Sequence, residues 1–501
     1  MLHAKRRRCA RAENVACQIA GMGVQVIEFF RRYLPKDGFA RNVATLTGAT
    51  AFSQLVVLAA LPLLTRLYTP GEYGAAAVYA GLVGLIVVIA TFRYELAIPL
   101  PRSDRAALHV AMVALIALIA VVAVSGIAAP LMSSWLGQET GLSAWVFSVL
   151  VVVGVATAGC YQVVNYWAVR KSKFGAIART RIQQGVAGTT SQLALGLAGF
   201  GTVGLIVGQI IGQGAGCARL AAGMIADNRA SGGRVRRRGL AWAAKRYRKF
   251  PLYDSWAGLL NIAGSQAPVL LFATLFSPVL AGYYALAYRL LSAPLGLVGK
   301  SVSQALLPRI VEANRRGESG PLVLQLIGIL AMVSLLPFAV VTVAAADVVP
   351  VLFGTEWASA APVVAWTATW VGWQFICSPL SVVLIGIEAQ RLNTVLQAVL
   401  LILRVSALLV GTLHNSQTVA LVAFSIASAM GYAGYTVAVG MAVNLSLRDM
   451  ARVVWKPAFL AGACLAISMI VPGDMSAVRY ATVVLLVGVW AWFVLRAGLR
   501  G

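Results

Sequence analysis

The run Lys245-Arg246-Tyr247-Arg248-Lys249-Phe250-Pro251 opens the stretch that decides the fold. Two apolar segments follow, about 252–276 and 281–306, joined by the turn Ser277-Pro278. Each can cross a hydrocarbon layer of about 30 Å as a helix, since about 20 residues suffice. Neither is uniformly apolar. In the first, Asp254, Gly258, Asn261 and Ser265 recur at helical spacing, with Gln266 beside them. In the second, Ala285, Arg289, Ser292, Gly296, Gly299 and Ser303 do the same, and Lys300 falls about three turns beyond Arg289. Two adjacent membrane helices with small, polar stripes are predicted to wall a wet cavity.

The chain is 60% hydrophobic and only 11% charged over 501 residues, with a mean hydropathy of +0.82. That composition defines a polytopic membrane protein. Continuous apolar runs must satisfy their own backbone in lipid, which makes them helices rather than barrel strands. The net charge of +25 is assigned to topology signals and anionic lipid, not to nucleic acid. Cys9, Cys17, Cys160, Cys217, Cys377 and Cys464 are scattered, without a CxxC, and read as free thiols or small apolar residues. The histidines His3, His109 and His414 are isolated. No metal and no cofactor is expected.

Fourteen apolar segments are predicted: 42–66, 73–92, 106–129, 143–164, 176–198, 202–225, 252–276, 281–306, 321–345, 359–386, 393–412, 418–443, 457–472 and 478–496. The loops after even-numbered segments carry the basic residues, from Arg93 and Arg102 through 229–249 to Arg448 and Lys456. The loops after odd-numbered segments carry almost none. The positive-inside rule therefore places both termini in the cytoplasm. The domain division is a basic N-terminal segment 1–41, an N-lobe 42–226, a basic interlobe loop 227–250, a C-lobe 251–444 and an appended helix pair 445–501. Within the loop, 229–239 is polar and contains glycine, and is expected to make few packed contacts. Translation from Met1 or from Met22 stays open.

The halves share a repeat. Leu67-Tyr68-Thr69-Pro70, Gly74 and Ala77 match Leu275-Phe276-Ser277-Pro278, Gly282 and Ala285, and Ser53-Gln54 matches Ser265-Gln266. Six helices per half put both halves the same way up, which makes a parallel repeat about an axis along the membrane normal.

Five strings give the chain a family resemblance over roughly 39–444. They are Leu64-Thr65-Arg66-Leu67-Tyr68-Thr69-Pro70-Gly71-Glu72-Tyr73-Gly74; Arg93-Tyr94-Glu95-Leu96-Ala97-Ile98-Pro99-Leu100; Asn165-Tyr166-Trp167 with Arg170-Lys171-Ser172-Lys173-Phe174; Tyr247-Arg248-Lys249-Phe250-Pro251; and Leu352-Phe353-Gly354-Thr355-Glu356-Trp357. Together they resemble the polysaccharide-transporter (oligosaccharide flippase) branch of the multidrug/oligosaccharidyl-lipid/polysaccharide exporter superfamily. The resemblance implies two six-helix lobes in a V around a central cavity. Together with the segment count this makes an all-α fold of about 14 transmembrane helices, two pseudo-symmetric lobes plus an extra C-terminal helix pair that lies outside the resemblance. It implies alternating access in a bacterial cytoplasmic membrane and a polyprenyl-pyrophosphate-linked oligosaccharide as cargo. Membrane lipids are the other partners, and a polysaccharide polymerase and chain-length proteins are partners open to it.

Arg289 is the leading cargo residue, because a charge deep in a membrane helix costs about 2.5–3.5 kcal/mol on insertion scales. A guanidinium there suits a pyrophosphate; the bland alternative is snorkelling or pairing inside the lobe. Lys300, Arg404, Asn261, Ser265 and Gln266 complete the predicted cargo set. Arg66, Arg93, Glu95 and Asp254 are the predicted gate residues. Headgroup anchoring or local ion pairing explains each of these equally simply. Trp366, Trp370 and Trp373 read as a packing stripe before a sugar platform. Gly208, Gly212 and Gly216 form a double GxxxG for close helix packing.

Rival readings remain. A lipid II flippase has the same architecture, and an ion-coupled drug exporter would carry an acidic ion site, whereas segment 1 has no Asp or Glu. An integral-membrane glycosyltransferase or polymerase would need catalytic acids on large outer loops, which are short here. The chain is therefore expected not to be an enzyme.

Overall fold

The computed structural model describes residues 38–140, 142–230, 235–470, 485, 487, 488 and 490. The readings of 1–36, and of most of segment 14, lie outside them. The N-terminal half consists of α1 (Gly38–Leu67), α2 (Pro70–Ala90), α3 (Asp104–Thr140), α4 (Ala144–Arg170), α5 (Phe174–Leu197), α6 (Gly201–Gly214) and α7 (Cys217–Ala230). A linker helix follows, α8 (Arg237–Arg246). The C-terminal half holds α9 (Ser255–Leu275), α10 (Pro278–Pro294), α11 (Lys300–Arg316), α12 (Ser319–Phe353), α13 (Ala361–Gly386), α14 (Gln390–Leu413), α15 (Gln417–Ala442) and α16 (Leu447–Ile470).

Among the described residues, ten elements are long and apolar enough to cross a membrane, against fourteen predicted segments. The differences have physical causes. Arg179, Arg181 and three glutamines dilute α5. Segment 8 is not one helix: a π-helical turn, Leu295–Gly299, divides it into α10 and α11, of 17 residues each. Pro294 precedes that turn and cannot donate to the carbonyl four residues back, which favours a local widening. Gly216 adopts φ +79° and divides segment 6 into α6 and α7, although Gly201–Arg229 still counts as one of the ten.

The two repeat motifs start α2 and α10 by the same local chemistry. Thr69 caps α2 in a capping box with Glu72, and Pro70 sits in its first turn. Ser277 caps α10 by accepting from the Leu280 N–H at 3.2 Å, and Pro278 follows it. These two helix starts then meet each other. A Cβ on Gly74 would overlap the Pro278 carbonyl oxygen, and one on Gly282 would overlap that of Pro70. The crossing is reciprocal between equivalent residues, as a two-fold repeat axis passing between them requires. Only glycine lets the backbones approach this closely.

Below the crossing, α2 packs on both α9 and α10, so one apolar cluster runs across the seam between halves, from Leu61 and Tyr79 to Phe272 and Tyr284. Residues such as Leu55, Ile119 and Ile402 point outward and exposed, as lipid-facing positions do. In α5 and α6, Gly188 and Gly212 stand backbone to backbone, in line with the GxxxG reading. The predicted interlobe loop is mostly helical: α7 runs to Ala230, and α8 packs on α3 with Ala243 fully buried. The Arg236 N–H donates to His109 Nε2 at 3.2 Å, and Tyr94 donates to the Ala244 carbonyl at 3.2 Å. The basic side chains of 237–249 thus belong to a docked helix and the turn after it, largely beyond the stretch 229–239 for which few packed contacts were expected. Beyond the repeat, α16 packs along α12, and Trp490 donates to the Met332 carbonyl at 2.6 Å.

Candidate functional site

A cavity of about 750 Å³ opens inside the N-terminal half. Its walls come from α1 (Ser53), α2 (Ala80, Val87), α4 (Gln162, Asn165), α5 (Arg181, Gln184, Thr189, Gln192) and α6 (Gln209, Gln213). Among the described residues, Arg289 on α10 is the one contribution from the C-terminal half. Its guanidinium donates to the Tyr73 hydroxyl at 3.0 Å across the seam. Arg181 lies over the Tyr161 ring at 5.7 Å and donates to Gln184 Oε1 at 3.5 Å. The lining holds no carboxylate, and among the described residues neither arginine has one within 4.0 Å. Two guanidiniums without an acid give the lining a net positive charge.

Arg289 therefore sits in a cavity, but its predicted companions do not join it. Ser292, Gly296, Gly299 and Ser303 line a second cavity of about 530 Å³ against Gln374, Ser378 and Ser381 of α13. The π-helical turn changes the register between Arg289 and Lys300, so the single-face arithmetic across those residues fails. The Lys300 side chain lies outside the described residues. On α9 the predicted stripe also divides. Gly258 is packed under the Arg93 guanidinium, Asn261 is exposed, and Ser265 bonds its own helix at Ile262. Gln266 lies against Gly81 and Gly84 of α2, at the seam rather than in either cavity. The π-helical start Phe250–Asp254 and the burial of Gly258 account for the broken alignment.

Arg404 is 95% removed from solvent and lines neither cavity. Its guanidinium carbon lies 4.9 Å from the Trp370 ring, 4.9 Å from Tyr432 and 5.7 Å from Phe424. It donates to Ser428 Oγ at 3.1 Å and to the Gly264 carbonyl at 3.2 Å. Trp370 is thus part of a packed aromatic box, while Trp366 and Trp373 pack against the core.

The predicted gate residues fall at opposite ends of the bundle. Arg66 is exposed at the end of α1. Near it, Trp357 is fully buried, donates to the Thr65 carbonyl at 2.8 Å, and meets Tyr73 and Tyr283 edge-on. At the basic end, Arg93 pairs with Glu95 at 3.8 Å. Burial pushes the Glu95 carboxyl above its ordinary range, against the pull of the Thr91 hydroxyl and Arg93. Asp254 is exposed nearby. The family-like strings meet in the same two places. Arg170 donates to the carbonyls of Ile98, Pro99 and Pro101 and pairs with Asp104. Tyr247 and Phe250 pack on the cluster of Tyr94 and Ile98.

Cys160 and Cys217 approach within 3.7 Å as free thiols, although 57 residues apart. Among the described residues no group of three or more His, Cys, Asp or Glu gathers as a metal site.

The described helices form a membrane bundle with a cationic cavity to which both halves contribute. The chain belongs to the polysaccharide biosynthesis protein family, whose pattern matches residues 63–362. Its fold is similar to that of a lipid II flippase, MurJ, in an inward closed conformation. That match has 11% identity and a TM-score of 0.69, covering 91% of this chain and 99% of the other. It is also similar to an inward-facing multidrug resistance transporter of the MATE family of the MOP superfamily. There the identity is 14% and the TM-score 0.55, covering 80% of this chain and 94% of that one. A search of curated proteins finds no match. The fold is thus the one shared with that flippase and that transporter, and the chain is a multi-pass membrane protein of the polysaccharide biosynthesis protein family.

Proposed function

We propose that the protein is a flippase, carrying a polyprenyl-pyrophosphate-linked oligosaccharide across the bacterial cytoplasmic membrane for surface or secreted polysaccharide assembly. The observation that supports this most is the N-half cavity, in which Arg181 and Arg289 face each other's space without a carboxylate. Such a lining suits a pyrophosphate and repels a cationic drug. Arg289 belongs to the opposite half, so an anion held there ties cargo to the seam that must open and close. In this reading the chain crosses the membrane fourteen times, and the six-helix lobes rock about the Gly74–Gly282 crossing. Anionic lipids contact the basic end, and a polymerase and chain-length proteins receive the product.

The test is translocation by purified protein in vesicles. A polyprenyl-pyrophosphate oligosaccharide, lipid II and a cationic dye are offered in turn. Flipping of the first is the expected result. Transport of the dye alone, or of lipid II alone, replaces this reading with a drug exporter or a lipid II flippase.

The proposed orientation has its own expected outcome. With both termini cytoplasmic, a cysteine at Asn415 in a cysteine-free chain reacts with an impermeant thiol reagent from outside, and one at Ser172 does not. Labelling in the opposite sense reverses the topology.

A further inference from the structure

The amides of the N-half cavity divide into two groups. Gln192 Nε2 donates to the Leu205 carbonyl at 3.1 Å, and Gln184 Nε2 to the Gln213 carbonyl at 3.1 Å. These brace α5 against α6. Gln162 Oε1, Asn165 Oδ1 and Gln213 Oε1 are different: all three oxygens are buried and have no hydrogen-bond partner among the described residues. Most buried polar atoms in proteins are paired, and three of the eleven unpaired side-chain atoms among the described residues belong to side chains that line this one cavity, which points to a ligand. Gln162 and Asn165 lie one turn apart on α4, and Gln213 faces them from α6.

The anion bound by Arg181 and Arg289 cannot be the partner of these oxygens. A pyrophosphate diester offers acceptors only, and a carboxamide oxygen is an acceptor. The missing partner must carry donors: hydroxyls, or the N–H of an acetamido group. On a pyrophosphate-linked glycan those donors begin on the sugar next to the phosphate. At about 750 Å³ the cavity lies in the range of about 300–1,000 Å³ that encloses a drug-sized ligand. It takes the head of a glycolipid and not an extended chain. We propose that Gln162, Asn165 and Gln213 are the residues that read the first sugar of the cargo, beside a phosphate site formed by Arg181 and Arg289. This rests on the flippase reading above. It places sugar choice in α4 and α6, away from the stripe of α10 and α11.

The experiment measures binding of two fluorescent lipids to the purified full chain in micelles. One is sugar-free polyprenyl pyrophosphate; the other carries a single hydroxylated or acetamido sugar. Wild type binds both, and the glycosylated lipid more tightly. Gln162→Leu, Asn165→Leu and Gln213→Leu each weaken the glycosylated lipid about tenfold, the worth of one buried hydrogen bond of about 1.4 kcal/mol. Sugar-free binding changes less than about twofold on the same scale, which also certifies the fold of each variant. Arg181→Gln weakens both lipids together. Gln162→Asn, which keeps the amide but shortens its reach, changes the ranking of sugars differing at one hydroxyl. An equal loss for both lipids in the leucine variants overturns the proposal, because the amides would then serve the phosphate through their NH₂ groups. No change for either lipid overturns it too, leaving the amides as packing. Failure of wild type to bind either lipid counts instead against the flippase reading.

Discussion

Replacing Arg289 by alanine is expected to abolish cargo transport while the protein stays at wild-type abundance in the membrane. Removing a charge from a membrane helix makes insertion easier, by up to about 2.5–3.5 kcal/mol on insertion scales. Stability should not fall much either. Among the described residues the guanidinium has one neutral partner, the Tyr73 hydroxyl, and no carboxylate to leave behind unpaired. The cavity, by contrast, loses the one cation that reaches it from the C-terminal half. Arg289→Lys should recover only part of the activity, since an ammonium keeps the charge but not the planar fork that grips two phosphate oxygens. Tyr73→Phe should fall between wild type and Arg289→Ala, because it frees the guanidinium without removing it. The measurement is complementation of a flippase-null strain, with the membrane fraction immunoblotted and the cytoplasmic glycolipid quantified. Full complementation by Arg289→Ala at normal abundance would falsify the cargo role and leave Arg289 as a seam contact.

The parts of the fold legible in the sequence are those with local causes. Thr69-Pro70 and Ser277-Pro278 announce helix starts by capping chemistry alone, and the loops announce themselves by charge. Arg289 stands out because a cation in an apolar run has a cost that something must offset. The π-helical turn after Pro294 was harder, although Pro294, Gly296 and Gly299 together were a warning. One widened turn is enough to end the regular helical register after Pro294, and the sequence stripe cannot show that. The aromatic enclosure of Arg404 depends on α13 and α15 meeting α14 and α9, a tertiary fact.

The N-half cavity is the larger omission, and it had a signal. Arg181, Gln184, Gly188 and Gln192 share one face of α5 at helical spacing, and Gln162, Gln209 and Gln213 interrupt otherwise apolar runs. Spread over three segments, with each polar residue tolerable alone, they looked like dilution of hydropathy. Folding gathers them. The five family-like strings behave in the opposite way. They read as loose fragments, yet the structure joins the first to the fifth at the Trp357 end and the other three at the basic end. They chiefly hold the two ends of the bundle, and only the third reaches the cavity, through Asn165 and Tyr166.

Arg404→Ala is expected to cause the largest loss of stability. The reason lies in α9. Pro268 sits inside that helix and has no N–H to give the carbonyl of Gly264, four residues earlier. Arg404 supplies the missing donor from α14 at 3.2 Å, while the faces of Trp370 and Tyr432 hold its charge. A hydrogen bond from a charged donor is worth about 1.5–3 kcal/mol, and a desolvated cation–π contact about 2 kcal/mol. Alanine forfeits both and opens a void. Arg404→Met refills the box but still leaves the Gly264 carbonyl unpaired. Pro268→Ala restores a backbone donor to that carbonyl. The cost of Arg404→Met should therefore shrink by about 1–2 kcal/mol when Pro268→Ala is already present. Equilibrium denaturant unfolding of the four proteins in micelles gives the coupling. If the two substitutions are additive, Arg404 does not act on the proline-freed carbonyl. If Arg404→Met unfolds like wild type yet binds no pyrophosphate lipid, the residue belongs to the cargo path after all. The expected pattern, coupled stability with lipid binding retained, makes Arg404 the brace that fixes the shape of α9 against the seam with α2.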